Sequence, residues 1–290
     1  MRALVLSGGG ARGAFQIGVL KRWMGEQGCD YDIMTGVSSG ALNIAGLAHI
    51  PKGRPKEAIE WLEQFWLTKV VDTSSIYKRW FPFGRLHALW EKSVYDSSPL
   101  IKLVKNNIDM EKIVNCGRRL AVGAVCLDTG DYVFGTENDE NFPDWVLASS
   151  SFPIFLSPIE INGKLYSDGG IVNITPLGQA IRMGATDIDV IICSDPYLID
   201  KWGKSKKVAI PHQLLRVVNI MSGQISRFDI EEIRLKNDLS NIDPKFSHIK
   251  VRVIVPSRPL NVDSLTFKPE DTRRLIQIGY EDADKFTIYE

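Results

Sequence analysis

Two glycine-rich stretches near the start of the chain decide the fold: residues 8–13 read Gly-Gly-Gly-Ala-Arg-Gly, and residues 36–40 read Gly-Val-Ser-Ser-Gly. Each stretch follows a short apolar run, residues 2–6 and 32–35, and each precedes a segment whose apolar residues recur at helical spacing. Strand–turn–helix units in series are typical of parallel strands joined by crossover helices. The sequence therefore predicts an α/β fold with a mostly parallel central sheet sandwiched between helices.

The rest of the chain continues this alternation. We expect further strands at 120–126, 132–134, 158–165, 189–193 and 250–255, and helices at 14–24, 41–49, 56–67, from about 98, 175–184, 211–237 and 270–286. The chain shows no internal repeat, low-complexity tract or linker. We predict a single domain over 1–290, with 56–100 as a lid or insertion and 211–290 as a C-terminal helical extension with one strand.

The composition excludes several classes of function. The 290 residues carry 35 basic and 35 acidic side chains, so no basic excess is present to neutralise nucleic-acid phosphates. No run approaches the roughly 20 apolar residues that span a bilayer, and the apolar run at the N-terminus is too short for a secretory signal. The four cysteines form no Cys-x-x-Cys pair, which argues against structural zinc and disulfides. We expect a cytoplasmic protein with no nucleic-acid partner, metal or cofactor.

The first glycine-rich turn permits two interpretations. Gly8-x-Gly10-x-x-Gly13 matches the fingerprint of dinucleotide-binding folds and lies between a strand and a helix, as that fingerprint requires. Such a site also needs an acidic residue at the C-terminal end of the second strand to hold a ribose. Asp30 and Asp32 have about the right separation but lie at the opposite, N-terminal end of that strand. Dinucleotide binding is therefore the weaker alternative.

The second turn, Gly36-x-Ser38-x-Gly40, has the pattern of a nucleophile elbow. A nucleophilic serine in such an elbow lies on a sharp strand-to-helix turn, where a Cβ two residues before or after it would collide with the neighbouring backbone. The following helix N-terminus favours negative charge. A simple helix cap by Ser38 or Ser39 is the alternative for this pentapeptide.

A serine nucleophile needs a base and an oxyanion hole. None of the four histidines has a flanking signature of a catalytic base: His49, His87, His212 and His248. Asp168 follows a predicted strand and precedes two glycines, which would let the backbone pass close to the Ser38 turn. It is the strongest candidate for the base, although an Asp-Gly pair is most often a plain turn. Partial desolvation should raise its pKa, because an exposed aspartate is a weak base.

The combination of these three blocks, in this order, resembles the patatin-like phospholipase family. The resemblance covers at least residues 1–195 and includes Ala148–Phe155, just upstream of the aspartate. It implies a Ser38–Asp168 dyad that cleaves acyl esters of lipids without histidine or a cofactor. It also implies an oxyanion hole at the first turn, elbow glycines on either side of Ser38, and an Asp-Gly-Gly motif: Gly8, Gly9, Gly10, Arg12 and Gly13; Gly36 and Gly40; Gly169 and Gly170.

An aromatic stretch between Tyr77 and Trp90 suggests contact with lipid. Its tryptophans and phenylalanines alternate with basic residues, a mixture suited to a membrane interface. We assign helix 56–67 to packing on the sheet and 77–90 to a lid or lipid-facing loop, so that Trp80, Phe81 and Phe83 would favour vesicle binding. The expected partner is a lipid or phospholipid at a membrane surface, touched transiently. A non-catalytic lipid-binding protein of the same fold is a second alternative, and the oligomeric state is left open.

Overall fold

The computed structural model describes residues 1–79, 93–193 and 248–289, together with scattered helical positions between 213 and 235. The described strands are β1 (Arg2–Leu6), β2 (Ile33–Gly36), β3 (Arg119–Cys126), β4 (Tyr132–Thr136), β5 (Ile159–Ile161), β6 (Lys164–Asp168), β7 (Asp187–Ile191), β8 (Lys250–Ile254) and β9 (Thr287–Tyr289). The continuously described helices are α1 (Ala14–Leu20, continued by a π-helical segment to Glu26), α2 (Ser39–Leu47), α3 (Pro55–Thr68), α4 (Ser98–Asn107), α5 (Met110–Val114), α6 (Phe142–Ser149), α7 (Leu177–Arg182) and α8 (Pro269–Asp282).

All nine described strands form one sheet in the order β5-β6-β3-β2-β1-β7-β8-β9, with β4 paired to β3 beside this path. The five central strands, from β3 to β8, run parallel. The antiparallel pairings involve β4, β5, β6 and β9. The predicted mostly parallel sheet is therefore confirmed, with antiparallel strands at both ends.

Helices cover both faces of this sheet. Along β1, Leu4 and Leu6 belong to the core shared with α1, α2, α3, α6 and α8, whereas Ala3 and Val5 belong to a second core under α7. All four side chains are fully buried. Alternating side chains point to opposite faces of a strand, so burial of both sets gives the predicted three layers.

Helix α8 packs directly on α1, which ties the C-terminal part of the chain to the first βα unit. The two helices cross at Gly18 and Gly279. A Cβ at Gly18 would lie 1.9 Å from the carbonyl oxygen of Ile276, and one at Gly279 would lie 2.0 Å from that of Phe15. Only glycine allows the backbones to approach this closely. Helix α8 is therefore part of the helical layer that covers one face of the sheet.

Several predicted elements differ from the structure. The single strand expected at 158–165 is a hairpin, β5 and β6, because Asn162 and Gly163 both have positive φ (+52° and +76°) and form its two-residue turn. The C-terminal region contributes two strands to the sheet, β8 and β9, where the sequence predicted one. Helices α5 and α6 were not predicted. Gly184, with φ +93°, ends the helical segment after α7 as expected.

The predicted lid lies partly outside the described residues. Helix α3 packs on the core through Ile59, Leu62 and Trp66, as predicted for 56–67. Trp80, Phe81 and Phe83 and the rest of 80–92 lie outside the described residues, and so do most of 211–237. Among the described helices, none is long and apolar enough to cross a membrane. The cytoplasmic location and the lipid-facing loop stay predictions from the sequence.

Candidate active site

The sheet topology brings Ser38 and Asp168 together from distant parts of the chain. Strand β2 pairs with the first half of β3 and ends at Gly36, opposite Val122. Strand β6 pairs with the last residues of β3, and Asp168 lies opposite Ala124. Because β4 occupies the other edge of β3, β2 and β6 share one edge, end to end. The end of β6 therefore meets the turn after β2.

Ser38 has a strained backbone at this turn. Its φ is +55° and its ψ is −124°, a conformation that residues with a side chain rarely adopt. Strain of this kind costs about 1–3 kcal/mol and persists only where the surroundings enforce it. It places the Ser38 side chain at the N-terminus of α2, on the wall of a cavity.

The flanking glycines are needed for this turn. A Cβ at Gly36 would lie 2.5 Å from the carbonyl oxygen of Gly40, and a Cβ at Gly40 would lie 2.3 Å from that of Leu6. Real Cβ atoms essentially never approach this closely. The collisions expected from the elbow pattern are therefore present at both positions.

Asp168 is 2% exposed and faces the same cavity. Burial raises the pKa of its carboxyl to about 7, although hydrogen bonds from the Gly170 N–H and from the Ser38 side chain lower it in part. The Gly170 N–H lies 2.8 Å from Oδ1, within a short 3₁₀ turn that begins at Gly169. A carboxylate with a pKa near neutrality, hydrogen-bonded to a serine, can accept that serine's proton.

A run of serines at the end of α6 joins the two residues. The Ser38 N–H donates to the Ser149 hydroxyl at 2.9 Å, and the Ser150 hydroxyl donates to the Ser38 carbonyl at 3.3 Å. The Asp168 N–H donates to the Ser151 carbonyl at 3.0 Å. Sequence reasoning included these serines only through the family resemblance and missed their helix, although the Pro143 near its start was a signal.

We expect Ser149→Ala to lower kcat by about tenfold, because the Ser38 N–H would lose its acceptor and the strained turn would relax. The unfolding free energy should fall by about 1–3 kcal/mol. The matched control is Ser97→Ala, since the buried Ser97 hydroxyl likewise accepts a main-chain N–H, from Ser157 at 2.9 Å, and neither residue lines the cavity at Ser38. Equal losses of kcat in both variants, measured with a soluble ester, would contradict a positioning role for Ser149.

The first glycine-rich turn lies beside Ser38. A Cβ at Gly8 would approach the Ser38 Cβ to 3.1 Å. The N–H groups of Gly8 and Arg12 are already used, by the Ile174 carbonyl at 3.0 Å and the Gly9 carbonyl at 3.1 Å. Among the described residues, the N–H groups of Gly9 and Gly10 have no acceptor, and both glycines line the cavity.

Two residues of the predicted oxyanion hole, Arg12 and Gly13, make contacts elsewhere in the structure. The Arg12 guanidinium Nε donates to the Val262 carbonyl at 3.0 Å. Gly13 packs against α2, where a Cβ would lie 2.7 Å from the Ser39 Cβ. Gly13 and Arg12 do not line the cavity, whereas Gly9 and Gly10 do, and the described residues offer the N–H groups of these two glycines no acceptor.

The described histidines do not take part in this site. His49 stacks on Trp61 with ring centroids 4.3 Å apart, and burial lowers its pKa to about 4. His248 is exposed just before β8, while His87 and His212 lie outside the described residues. Among the described residues lining the cavity, Asp168 is the one carboxylate and there is no histidine.

The carboxylates that would serve a dinucleotide lie at the opposite end of β2. Asp32 accepts the Arg2 N–H at 2.8 Å and pairs with Lys52. Asp30 pairs with Arg118 at 2.9 Å. This arrangement leaves the dinucleotide alternative without its ribose-binding acid. The described residues also contain no cluster of three or more His, Cys, Asp and Glu side chains suited to a metal ion.

The cavity beside Ser38 opens to solvent, and the space between its walls, with the open solvent at its mouth included, is about 920 Å³. Its polar groups gather at one end, around Ser38, Asp168 and the glycine-rich turn. The remaining walls come from α2, α3, α4 and the segments that follow α3, α6, β6 and β8, and they are apolar: Leu42, Phe65, Trp66, Val70, Ile76, Tyr77, Leu100, Phe152, Leu156, Ile174, Leu265 and Phe267. Such a cavity suits a ligand with one polar group and a long apolar part.

The chain is similar in sequence to one protein family and to several known proteins. The model of the patatin-like phospholipase family matches residues 4–181. The cGAMP-activated phospholipase of Vibrio cholerae serotype O1 is 29% identical over 229 residues, which cover 69% of this chain and 63% of that protein. The uncharacterized protein YjjU of Escherichia coli K12 is 25% identical over 287 residues, covering 96% of this chain and 74% of that protein. The crystal structure of VipD from Legionella pneumophila aligns with a TM-score of 0.46 at 14% identity, covering 100% of this chain and 68% of that one. This chain thus spans less than two thirds of its Vibrio relative.

Proposed function

Because this chain belongs to the patatin-like phospholipase family, we propose that it hydrolyses fatty-acyl esters of phospholipids or lysophospholipids, with Ser38 as nucleophile and Asp168 as base. One observation carries the proposal: a buried carboxyl with a pKa of about 7 accepts a hydrogen bond from a serine in a strained elbow, at the polar end of an apolar cavity. The cavity would hold the acyl chain and place its ester carbonyl at Ser38.

The first half of the reaction forms an acyl-enzyme. Asp168 takes the Ser38 Oγ proton while Oγ attacks the ester carbonyl. The N–H groups of Gly9 and Gly10 donate to the oxyanion of the tetrahedral intermediate, and the positive end of the α2 dipole adds to this stabilisation. The intermediate then expels the alcohol, which takes its proton from Asp168, and the acyl group remains on Ser38.

The second half releases the fatty acid. Asp168, again a carboxylate, takes a proton from a water molecule that attacks the acyl-enzyme carbonyl. The second tetrahedral intermediate collapses, Ser38 leaves and recovers its proton, and the free acid departs. The same carboxyl therefore serves both halves without a histidine.

The experiment that tests this function uses vesicles of phosphatidylcholine and of lysophosphatidylcholine, with fatty-acid release measured by mass spectrometry. We expect release by the wild-type chain and none by Ser38→Ala. Binding to the vesicles without release would favour the non-catalytic alternative. Retained release in Ser38→Ala would contradict the proposal.

We expect Val70→Trp to shorten the acyl chain that the cavity accepts. Val70 lines the cavity and is 2% exposed, so the larger ring would fill space that a long chain needs. The kcat/KM for a palmitoyl ester should fall at least about tenfold, with less than a threefold change for a butyryl ester. Val71→Trp is the matched control, because Val71 is 38% exposed and does not line this cavity. A uniform loss for both esters would show that the cavity does not select chain length.

A further inference from the structure

Residues 262–267, which we name the strap, lie across the turn that carries the Gly9 and Gly10 N–H groups. The Ala11 N–H donates to the Ser264 carbonyl at 2.8 Å. The Arg12 Nε donates to the Val262 carbonyl at 3.0 Å. Two consecutive residues of the turn are thus held by carbonyls about 250 positions further along the chain.

The other end of the strap is fixed to the segment after α3. The Thr73 hydroxyl accepts the Phe267 N–H at 3.0 Å and lies 3.3 Å from the Phe267 carbonyl, to which it donates. The Tyr77 hydroxyl donates to the Leu265 carbonyl. Phe267 is 8% exposed and packs near Trp66, with ring centroids 6.5 Å apart. The strap is therefore anchored at both ends by side chains of the N-terminal half.

Between these two ends, the main chain of the strap lies directly against the glycine-rich turn. Gly10 has a φ of +57°, and a Cβ on it would lie 2.0 Å from the Ser264 carbonyl oxygen. Ser264 and Leu265 also line the cavity. The family model matches residues 4–181. The strap lies outside this range, so the hydrogen bonds that it makes to the turn come from a part of the chain that the family model does not match.

We propose that the strap sets the oxyanion hole, with Arg12 as a positioning residue that acts through Val262. This inference rests on the proposed function of the same site. The direction of the Gly9 and Gly10 N–H groups depends on the conformation of the turn, and the hydrogen bonds of Ala11 and Arg12 fix that conformation from outside. Loss of one such donor typically lowers kcat by about 10²–10³-fold, and a misplacement of about 1 Å in a catalytic site can cost about 10²-fold.

The test releases the strap at each end separately. Thr73→Val removes the hydroxyl that holds Phe267 while keeping the side-chain shape, and Thr73→Ser keeps the hydroxyl. Thr73 does not line the cavity, and the hydrogen bonds that its hydroxyl makes are to the main chain of Phe267 in the strap. Arg12→Gln removes the Nε donor that holds Val262 and leaves the bond from the Ala11 N–H to the Ser264 carbonyl in place. A double variant combines Arg12→Gln with Thr73→Val. Thr68→Val is the control, because the exposed Thr68 hydroxyl donates within α3 to the Gln64 carbonyl.

The measurement is kcat and KM for p-nitrophenyl butyrate, normalised to active sites titrated with a fluorophosphonate. We expect Arg12→Gln to lower kcat by about 10- to 100-fold and Thr73→Val by about fivefold, with KM within twofold of wild type. Thr73→Ser and Thr68→Val should keep the wild-type kcat. The double variant should lose less than the product of the single losses, because both changes release the same segment.

Three results would overturn the inference: unchanged kcat per titrated site in Thr73→Val, equal losses in Thr73→Val and Thr73→Ser, or losses that multiply in the double variant. If Arg12→Gln does not fold, the pair of Thr73 variants decides alone. Failure of the proposed function is distinguishable, since the wild-type chain would then show no hydrolysis that depends on Ser38. Ser38-dependent hydrolysis that ignores the strap variants would count against the strap alone.

Discussion

Ser38→Ala should lower ester hydrolysis by at least about 10³-fold while leaving the fold intact, because the covalent route depends on this one oxygen. Ser38→Gly should be equally inactive but more stable than Ser38→Ala by about 1 kcal/mol. Its backbone can adopt a φ of +55° without the strain that a Cβ imposes. The two variants thus separate the chemical role of Ser38 from the conformational demand of its turn.

Steady-state rates with p-nitrophenyl butyrate and urea unfolding curves measure both effects. Thr68→Val serves again as the control for handling and purity. Activity in Ser38→Ala within tenfold of wild type would exclude Ser38 as nucleophile. A glycine variant less stable than the alanine variant would contradict the strained elbow.

Asp168→Asn should lower kcat/KM by about 10²–10⁴-fold, the usual range for a lost general base. In the wild-type chain the base must be ionised, so kcat/KM should rise with pH and level off above a midpoint near the carboxyl pKa of about 7. A profile with no group titrating between pH 5 and pH 8 would contradict this role.

The same substitution should stabilise the fold at neutral pH. Burial raises the pKa of Asp168 from 3.8 to about 7, so the folded chain holds this proton more tightly than the unfolded chain. This contribution to stability is complete below about pH 4 and is lost as the pH rises to about 7. The stability of Asp168→Asn relative to wild type should therefore increase across that interval, by up to about 4 kcal/mol, and stay constant above it. Unfolding curves at pH 5 and pH 8 measure the change, and a smaller advantage for Asp168→Asn at pH 8 would contradict the raised pKa.

The sheet and the local motifs could be predicted from the sequence because they depend on residues that are close together in the chain or in adjoining strands. The glycines around Ser38 are required by contacts within a few residues or with the adjoining strand, so their spacing is visible in the sequence. The burial of both faces of β1 likewise follows from a continuous apolar run. The hairpin at Asn162 and Gly163 could also have been predicted, since Asn-Gly between short apolar runs is a strong turn signal.

The hydrogen bonds that hold the site residues in place, and the burial of Asp168, could not be predicted in the same way. The hydrogen bond from Arg12 to Val262 joins residues 250 positions apart. Its acceptor is a main-chain carbonyl, which every residue type has, so the sequence carries no signal for it. The link from Ser149 to Ser38 spans 111 positions and uses a common residue type. The raised pKa of Asp168 depends on burial that only the packed layers provide. The sequence therefore indicated the reacting groups, and the packed structure added the groups that hold them.

The central claim is that acyl transfer passes through Ser38. The most direct test is peptide mapping by mass spectrometry of the chain quenched in acid during turnover of an acyl ester, with Asp168→Asn treated in parallel. We predict one acyl adduct on the peptide that contains Ser38 in the wild-type chain, and at most a trace in Asp168→Asn. Turnover with the acyl group on another residue would contradict the account.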